Sequence, residues 1–239
     1  RGRAVIGTED APGAMMFYDK DDFSLIHNIT TFYSEFSIKD LTIDTTGLIW
    51  AVSGNSQKFF RVDVDDGYNA SFFDLTTISS PDKAISITVD ESDYIWIGTE
   101  NNDEEVKLIK AYISSGDILN ETLYTWVTGL DTKGISSLKV IGGYIYMIEY
   151  KPNDENCIMK GYIDGGTLQL EYIILFSYEG VEEYESAHNI IIDAESSIWT
   201  GWQTSPGQLI KVEEHEQYTF NTNLTTRIKK SISYATNLE

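Results

Sequence analysis

The chain of 239 residues carries 17 basic against 38 acidic side chains, a net charge of −21, with 41% hydrophobic and 13% aromatic residues. That balance excludes a nucleic-acid partner, whose phosphates need a basic footprint, and excludes charge-driven binding to anionic membranes. No stretch of 18 apolar residues occurs, so no transmembrane helix is expected, and the length accommodates one large all-β domain.

In chain order the sequence reads as short strands separated by turn residues. Unit 1 opens with RAVIGTE (Arg3–Glu9), turns at Pro12-Gly13, and continues through Ala14–Asp19 and a longer strand within Phe23–Phe36. Unit 2 holds LTIDTTGLIWAVSG (41–54), then Lys58–Val64 and Ala70–Ile78, with Asp65-Asp66-Gly67 as the hairpin turn between them. Unit 3 opens with AISITVDESDYIWIGT (Ala84–Thr99). Its Ile85–Val89 segment alternates large apolar with small polar residues, the period of a half-buried strand. Asp90-Glu91-Ser92-Asp93 supplies a turn, because Asp and Ser side chains bond nearby backbone N–H groups. Tyr94–Gly98 is apolar on both faces and should lie between layers. Val106–Ile113, a Ser114-Ser115-Gly116 turn and Asn120–Thr128 complete the unit.

Unit 4 runs from Gly134 to about Tyr178, with LKVIGGYIYMI (138–148) and turns at Pro152-Asn153-Asp154 and Gly165-Gly166. Unit 5 holds Ala187–Ala194, a strand around Trp199, Gln208–Glu214 and Tyr218–Thr225. All four prolines fall between predicted strands, where a missing N–H costs no ladder bond. With neither a signal peptide nor an initiator Met, the chain is expected to be a processed or trimmed form.

The units are copies. Asp44 and Trp50, Asp90 and Trp96, and Asp193 and Trp199 play matching parts; in unit 4, Gly142-Gly143 and Tyr146 replace them, and Val5 stands in the Trp position of unit 1. From Val5 the intervals to Trp50, Trp96, Tyr146 and Trp199 are 45, 46, 50 and 53 residues, and running off the C-terminus back to Val5 gives 45. Five near-equal periods that use the whole chain predict an all-β, five-bladed β-propeller of four-stranded blades. The units span residues 229–239 with 1–36, then 37–80, 81–130, 131–180 and 181–228. Lys230–Ala235 is expected to supply the missing first strand of unit 1, closing the ring by pairing with the N-terminal strands and removing open edges. Val5, Trp50, Trp96, Tyr146 and Trp199 are expected to fill the wedges between blades.

DESDYIWIGT followed by VKLIKAY resembles the two-component-regulator propeller repeat. LTIDTTGLIWAVSG with FFRVDVDDG resembles the streptogramin-lyase-like and YVTN-type extracellular repeats. The resemblance covers about four of the five units and implies propeller architecture; fold alone does not carry function. Those relatives mostly have six, seven or more blades. The lyase's catalytic His and Glu pattern has no matching positions here, so no site is carried over.

Residue chemistry narrows the function further. Asp19-Lys20-Asp21-Asp22, Asp63-Val64-Asp65-Asp66 and Asn101–Glu105 are acidic clusters at predicted turns. None has the spaced oxygens, central Gly and closing Glu of an EF-hand loop, so no cofactor is expected, with calcium the one metal these turns leave open. His27, His188 and His215 lack metal-ligand spacing, although His188 falls near a channel mouth. Asp40, Asp82, Asp131 and Glu185 fall near inner-strand starts, where two carboxyls ~5–10 Å apart could flank a sugar bond. Asp44, Asp90 and Asp193 read as turn formers. Cys157, the only cysteine, reads as a buried small hydrophobe.

Asn28, Asn69, Asn120 and Asn223 each head an N-x-[ST] sequon, and all four map to an outermost strand or the turn entering it. A glycan needs exposed rim, so these residues predict N-linked glycans and an extracellular or cell-surface location. The sequence therefore reads as a non-catalytic structural or binding module of a larger cell-surface or filamentous assembly, partnered by other subunits or copies of itself. The alternatives are a carbohydrate-binding or glycoside-cleaving propeller acting at one channel mouth, and a sensory ectodomain.

Overall fold

The computed structural model describes residues 3–8, 13–30, 37–78, 82–100, 105–114, 117–127, 134–150, 157–175, 187–192, 197–202, 208–212 and 235–236. Their regular elements are all β-strands, paired antiparallel to their chain neighbours. The first sheet is β1 (Arg3–Gly7), β2 (Met15–Asp19) and β3 (Leu25–Ile29). The second is β4 (Ile38–Ile43), β5 (Ile49–Ser53), β6 (Lys58–Asp63) and β7 (Asn69–Asp74). An eight-stranded sheet follows, made of two meanders. One is β8 (Lys83–Val89), β9 (Ile95–Glu100), β10 (Glu105–Ser114) and β11 (Asp117–Val127); the other is β12 (Gly134–Ile141), β13 (Tyr144–Tyr150), β14 (Cys157–Asp164) and β15 (Thr167–Leu175). A single pairing, Gly134 with Glu100, joins them. The last sheet is β16 (Ala187–Ile192), β17 (Ile198–Trp202), β18 (Gln208–Val212) and β19 (Ala235–Thr236).

The C-terminal strand departs from expectation. β19 pairs with β18, Leu209 with Thr236 and Ile210 with Ala235, rather than with β1. The exposed edge of β18 carries N–H and C=O groups that need partners, and β19 satisfies two residues of it. The expected fourth strand of that unit, Tyr218–Thr225, lies outside the described residues. The first sheet has three strands among the described residues.

In the second and third units the turn after the first strand is built by its aspartate. Asp44 Oδ1 accepts the Thr46 and Leu48 N–H groups at 2.9 and 3.0 Å, and Asp90 Oδ1 accepts those of Ser92 and Tyr94 at 2.9 and 3.0 Å. The fourth turn residue must be left-handed: it is Gly47 (φ 92°) in one unit and Asp93 (φ 60°) in the next, Asp being among the few residues that tolerate this region. The other carboxylate oxygen reaches the aromatic six residues on. Asp44 Oδ2 accepts the Trp50 indole N–H and Asp90 Oδ2 that of Trp96, both at 2.8 Å. In the β12–β13 hairpin the turn is two residues, Gly142-Gly143, both left-handed, and no aspartate is present.

Four apolar clusters fill the gaps between consecutive meanders. Val5 packs against Phe17 and Met15, with Ile38 and Phe60 of the next sheet. Trp50 and Phe59 pack with Ile87, Ile95 and Ile97. Trp96 and Leu108 pack with Ile135, Met147 and Met159. Tyr146 and Ile158 pack with Ile190 and Ile198. The first strands lie side by side in series, β4 against β8, β8 against β12 and β12 against β16.

The turn aspartate therefore sets both a turn and the pose of a buried indole. Asp90→Ala, which removes three accepted hydrogen bonds, should cost about 2–3 kcal/mol in chemical denaturation. Trp96→Phe should cost about 1–2 kcal/mol. The double variant should cost less than the sum by about 1 kcal/mol. Strictly additive losses would show that the indole–carboxylate bond contributes nothing.

Candidate functional site

An antiparallel meander sends alternate connections to opposite ends. At one end lie the tight turns 44–48, 64–68, 90–94, 142–143 and 165–166. At the other, loop end, β5 joins β6, β7 leads to β8, and the remaining inter-unit connections leave from strands of the same direction. Binding residues concentrate on loops held by rigid strands, which directs attention to the loop end.

There, each of the four described first strands carries a β-bulge at one matching position. The ladders slip at Lys39, Ile85, Ser136 and His188, each three residues before the residue opposite the second-strand aromatic. Bulges re-aim the side chain that follows them. Those side chains are Asp40, Ser86, Ser137 and Asn189, all polar. Asp40 Oδ2 accepts the Ile87 N–H at 2.9 Å, Ser86 Oγ donates to the Ile135 carbonyl at 2.6 Å, and Ser137 Oγ accepts the Ile190 N–H at 3.0 Å while donating to Asn189 Oδ1 at 3.1 Å. Each of the first three thus clasps the first strand of the next unit.

Asp40 also accepts the Leu41 N–H at 2.8 Å. Burial pushes its carboxyl up to about 6, against the lowering pull of the Ile87 and Leu41 N–H groups and the charge of Lys139 on β12. Asp82, just before β8, is buried in an ion pair with Lys107. These two candidate carboxylates are thus held by separate partners, one by backbone and one by a lysine. Asp131 and Glu185 lie outside the described residues.

The remaining candidates fall as follows. Asn28 on β3, Asn69 on β7 and Asn120 on β11 are exposed on the outermost strands of their sheets; Asn223 lies outside the described residues. Trp50, Trp96 and Tyr146 are buried, while Val5 and Trp199 are half-buried. His27 stacks on Tyr68 with ring centres 4.0 Å apart, His188 is the bulge residue of β16, and His215 lies outside the described residues. Cys157 opens β14, paired with Glu149 and Leu175. The acidic turns spend their oxygens on their own backbone: Asp19 on Asp21 N, Asp22 on Ser24 N, and Asp63 on the Asp65 and Asp66 N–H groups. The Ser24 N–H accordingly lowers the Asp22 carboxyl. Among the described residues no three His, Cys, Asp or Glu side chains are grouped to hold a metal ion. Asp193 and residues 101–104 lie outside the described residues.

Sequence reasoning missed three features. The first is the Asp-to-Trp bond, visible as a constant spacing of six in 44/50, 90/96 and 193/199. The second is a cation opposite each second-strand aromatic: Arg61 sits 5.7 Å from the Trp50 ring centre, and Lys110 sits 4.9 Å from Trp96 and 4.0 Å from Tyr94. Lys160 repeats this over Tyr144 at 4.3 Å and Tyr146 at 5.8 Å. The third is Glu121 on β11, whose carboxylate accepts the N–H and O–H groups of both Thr76 and Thr77 from the preceding unit. Desolvation opposes its ionisation, but these four donors together hold its pKa low.

Antiparallel meanders packed face to face, with first strand against first strand, define a β-propeller. Solved structures agree on that class. No protein-family model and no curated protein matches the chain. The periplasmic gluconolactonase PpgL of Pseudomonas aeruginosa is 11% identical with a TM-score of 0.61, over 92% of this chain and 66% of that one. A catalytically inactive virginiamycin B lyase from Staphylococcus aureus, with quinupristin, is 16% identical with a TM-score of 0.54, over 92% and 71%. The extracellular domain named for the hybrid two component system BT4673 of B. thetaiotaomicron is 18% identical with a TM-score of 0.53, over 83% of this chain and 24% of that one. Identities this low speak to fold alone.

Asp40 makes stability depend on pH in a definite direction. An acid whose pKa rises from 3.8 to about 6 on folding holds its proton in the folded chain where the unfolded chain has lost it. Its contribution is therefore greatest below pH 3.8 and is lost as pH rises through 6, by about 2–3 kcal/mol in all. The melting temperature of the parent minus that of Asp40→Asn should fall by several degrees between pH 4 and pH 7. A difference that is flat with pH would show that Asp40 is not buried as a titrating acid.

Proposed function

We propose that the chain is a non-catalytic extracellular module, a propeller of five units N-glycosylated around its rim. In this reading it serves a structural or binding role in a larger cell-surface or filamentous assembly, beside other subunits or copies of itself. The observation that carries the reading is the placement of Asn28, Asn69 and Asn120. Each is exposed on the outermost strand of a different unit, as an attached glycan requires. The serial packing of β4, β8, β12 and β16 and the near-equal repeat intervals support the series of units. The likeness to an extracellular domain and to a periplasmic protein is in keeping with a location outside the cytoplasm.

A second reading, carbohydrate binding or cleavage at a channel mouth, draws on Asp40 and its raised carboxyl pKa. Both Asp40 oxygens are spent on backbone N–H groups, which suits a structural clasp better than proton transfer. A sensory ectodomain draws only on the BT4673 likeness.

Intact mass of natively sourced protein, before and after glycan removal and with site mapping, decides the matter. Glycans on Asn28, Asn69 and Asn120 are expected. An unmodified mass would remove the main support for an extracellular rim and reopen the intracellular and enzymatic readings.

A further inference from the structure

Consecutive units meet in one way. The side of a unit that carries Val5, Trp50, Trp96 or Tyr146 packs on the opposite side of the unit after it, which presents Ala51, Ile97, Met147 or Ile190. Among the described residues no such cluster covers the corresponding side of the first unit. The registers of its three strands place Ala4, Ile6, Met16, Tyr18, Leu25 and Asn28 there. Ile6 is 49% and Leu25 54% exposed. Ile6 follows Val5 as Ala51 follows Trp50, Ile97 follows Trp96 and Met147 follows Tyr146, and those three counterparts are fully buried. An apolar side at the end of a repeat series needs a cover to stay soluble.

Asn28 is where this side departs from its counterparts. Across the first sheet Ile6 pairs with Met16, and Met16 pairs with Asn28. In the second unit the same row reads Ala51, Phe60, Phe72, and in the third it reads Ile97, Ile109, Leu123. Both of those rows are apolar to the outermost strand, and Phe72 and Leu123 pack on the cluster shared with the unit before. The first unit instead ends its row in an exposed asparagine, the head of the sequon Asn28-Ile29-Thr30. Thr30 is exposed too, while Ile29 points the other way and is anchored in the core against the second unit. The sequon thus opens onto the one apolar side that the described units leave bare. Tyr18 lies on the same side, half-buried, with its hydroxyl donating to Met16 Sδ at 3.3 Å.

We propose that an N-linked glycan on Asn28 lies over this side of the first unit, its first sugars against Met16, Tyr18 and Ile6, and covers it. A pyranose ring is apolar on its C–H face and polar at its edges. It buries the first on aliphatic and aromatic side chains and keeps the second in water, which suits a half-exposed patch. The inference deepens the reading of the chain as a glycosylated module and rests on it. It gives this glycan a structural task that the one on Asn69 does not share. Asn69 stands opposite Asp63 and donates to Asp66 at 3.1 Å, away from any bare apolar side.

The chain made in a glycosylating host, its sites mapped by mass spectrometry, is compared with Asn28→Gln and with Asn69→Gln from the same host. Loss of the Asn28 glycan should raise the fluorescence of a dye for apolar surface severalfold and lower the melting temperature by a few degrees, while Asn69→Gln changes neither. Enzymatic removal of glycans from the folded chain repeats the comparison without a substitution. Cross-relaxation between the first sugar and the Met16 methyl or the Tyr18 ring should locate the glycan directly. An occupied Asn28 whose loss matters no more than that of Asn69, or whose sugar contacts neither Met16 nor Tyr18, would overturn the cover and leave the glycosylated rim standing. Glycans on Asn69 and Asn120 with none on Asn28 would do the same. A chain with no glycan at all would overturn both.

Discussion

A buried indole N–H needs an acceptor, and in this fold the acceptor is the carboxylate of the turn six residues earlier. Much else follows from that bond. One oxygen of Asp44 or Asp90 closes the first hairpin by taking two backbone N–H groups, and the other fixes the tilt of Trp50 or Trp96. A tryptophan held in one pose presents one face to the next sheet, and the apolar cluster between the sheets assembles against it. The cation opposite on the third strand, Arg61 or Lys110, sits over the ring and keeps its charge near a π-face. Turn, wedge and sheet spacing are thus set by one short side chain.

The same economy explains the acidity. A chain of short strands has many turns, and turns leave backbone N–H groups without partners. Asp19, Asp22, Asp44, Asp63 and Asp90 answer those N–H groups within their own turns. Others act between units. Asp40 holds Ile87 at the loop end, Glu91 holds Gly142 at 2.8 Å and Asp93 accepts from Thr45 at 2.7 Å at the tight-turn end, and Glu121 on the outermost strand β11 holds Thr76 and Thr77. Part of the negative charge is therefore architectural.

Strand order and turn positions were legible because period-2 patterns and recurring aspartates are local signals. The β-bulges were not. A bulge adds one residue to one strand of a pair, and the alternation around Lys39 or Ser136 reads equally well without it. Glu121 was equally hidden, because its donors lie 44 and 45 residues away. The pairing of β19 was misjudged for a related reason: a two-residue strand carries too little pattern to say which open edge it completes. Of the candidate carboxylates, position near an inner-strand start was readable, while the partners that occupy Asp40 and Asp82 depend on neighbouring units.

The fourth unit tests this account within one molecule. Its hairpin is shortened to Gly142-Gly143 and has no aspartate, so an indole at position 146 would lose the acceptor that Trp50 and Trp96 have. The residue there is Tyr146, which keeps an aromatic wedge beneath Lys160 without placing an indole N–H in the gap. Where the aspartate is present at the sixth position back, as before Trp199, the indole returns. Turn and wedge change together. The units therefore diverge as linked pairs of residues, and a copy that has lost its aspartate can still hold its place in the series, provided the wedge residue changes with it.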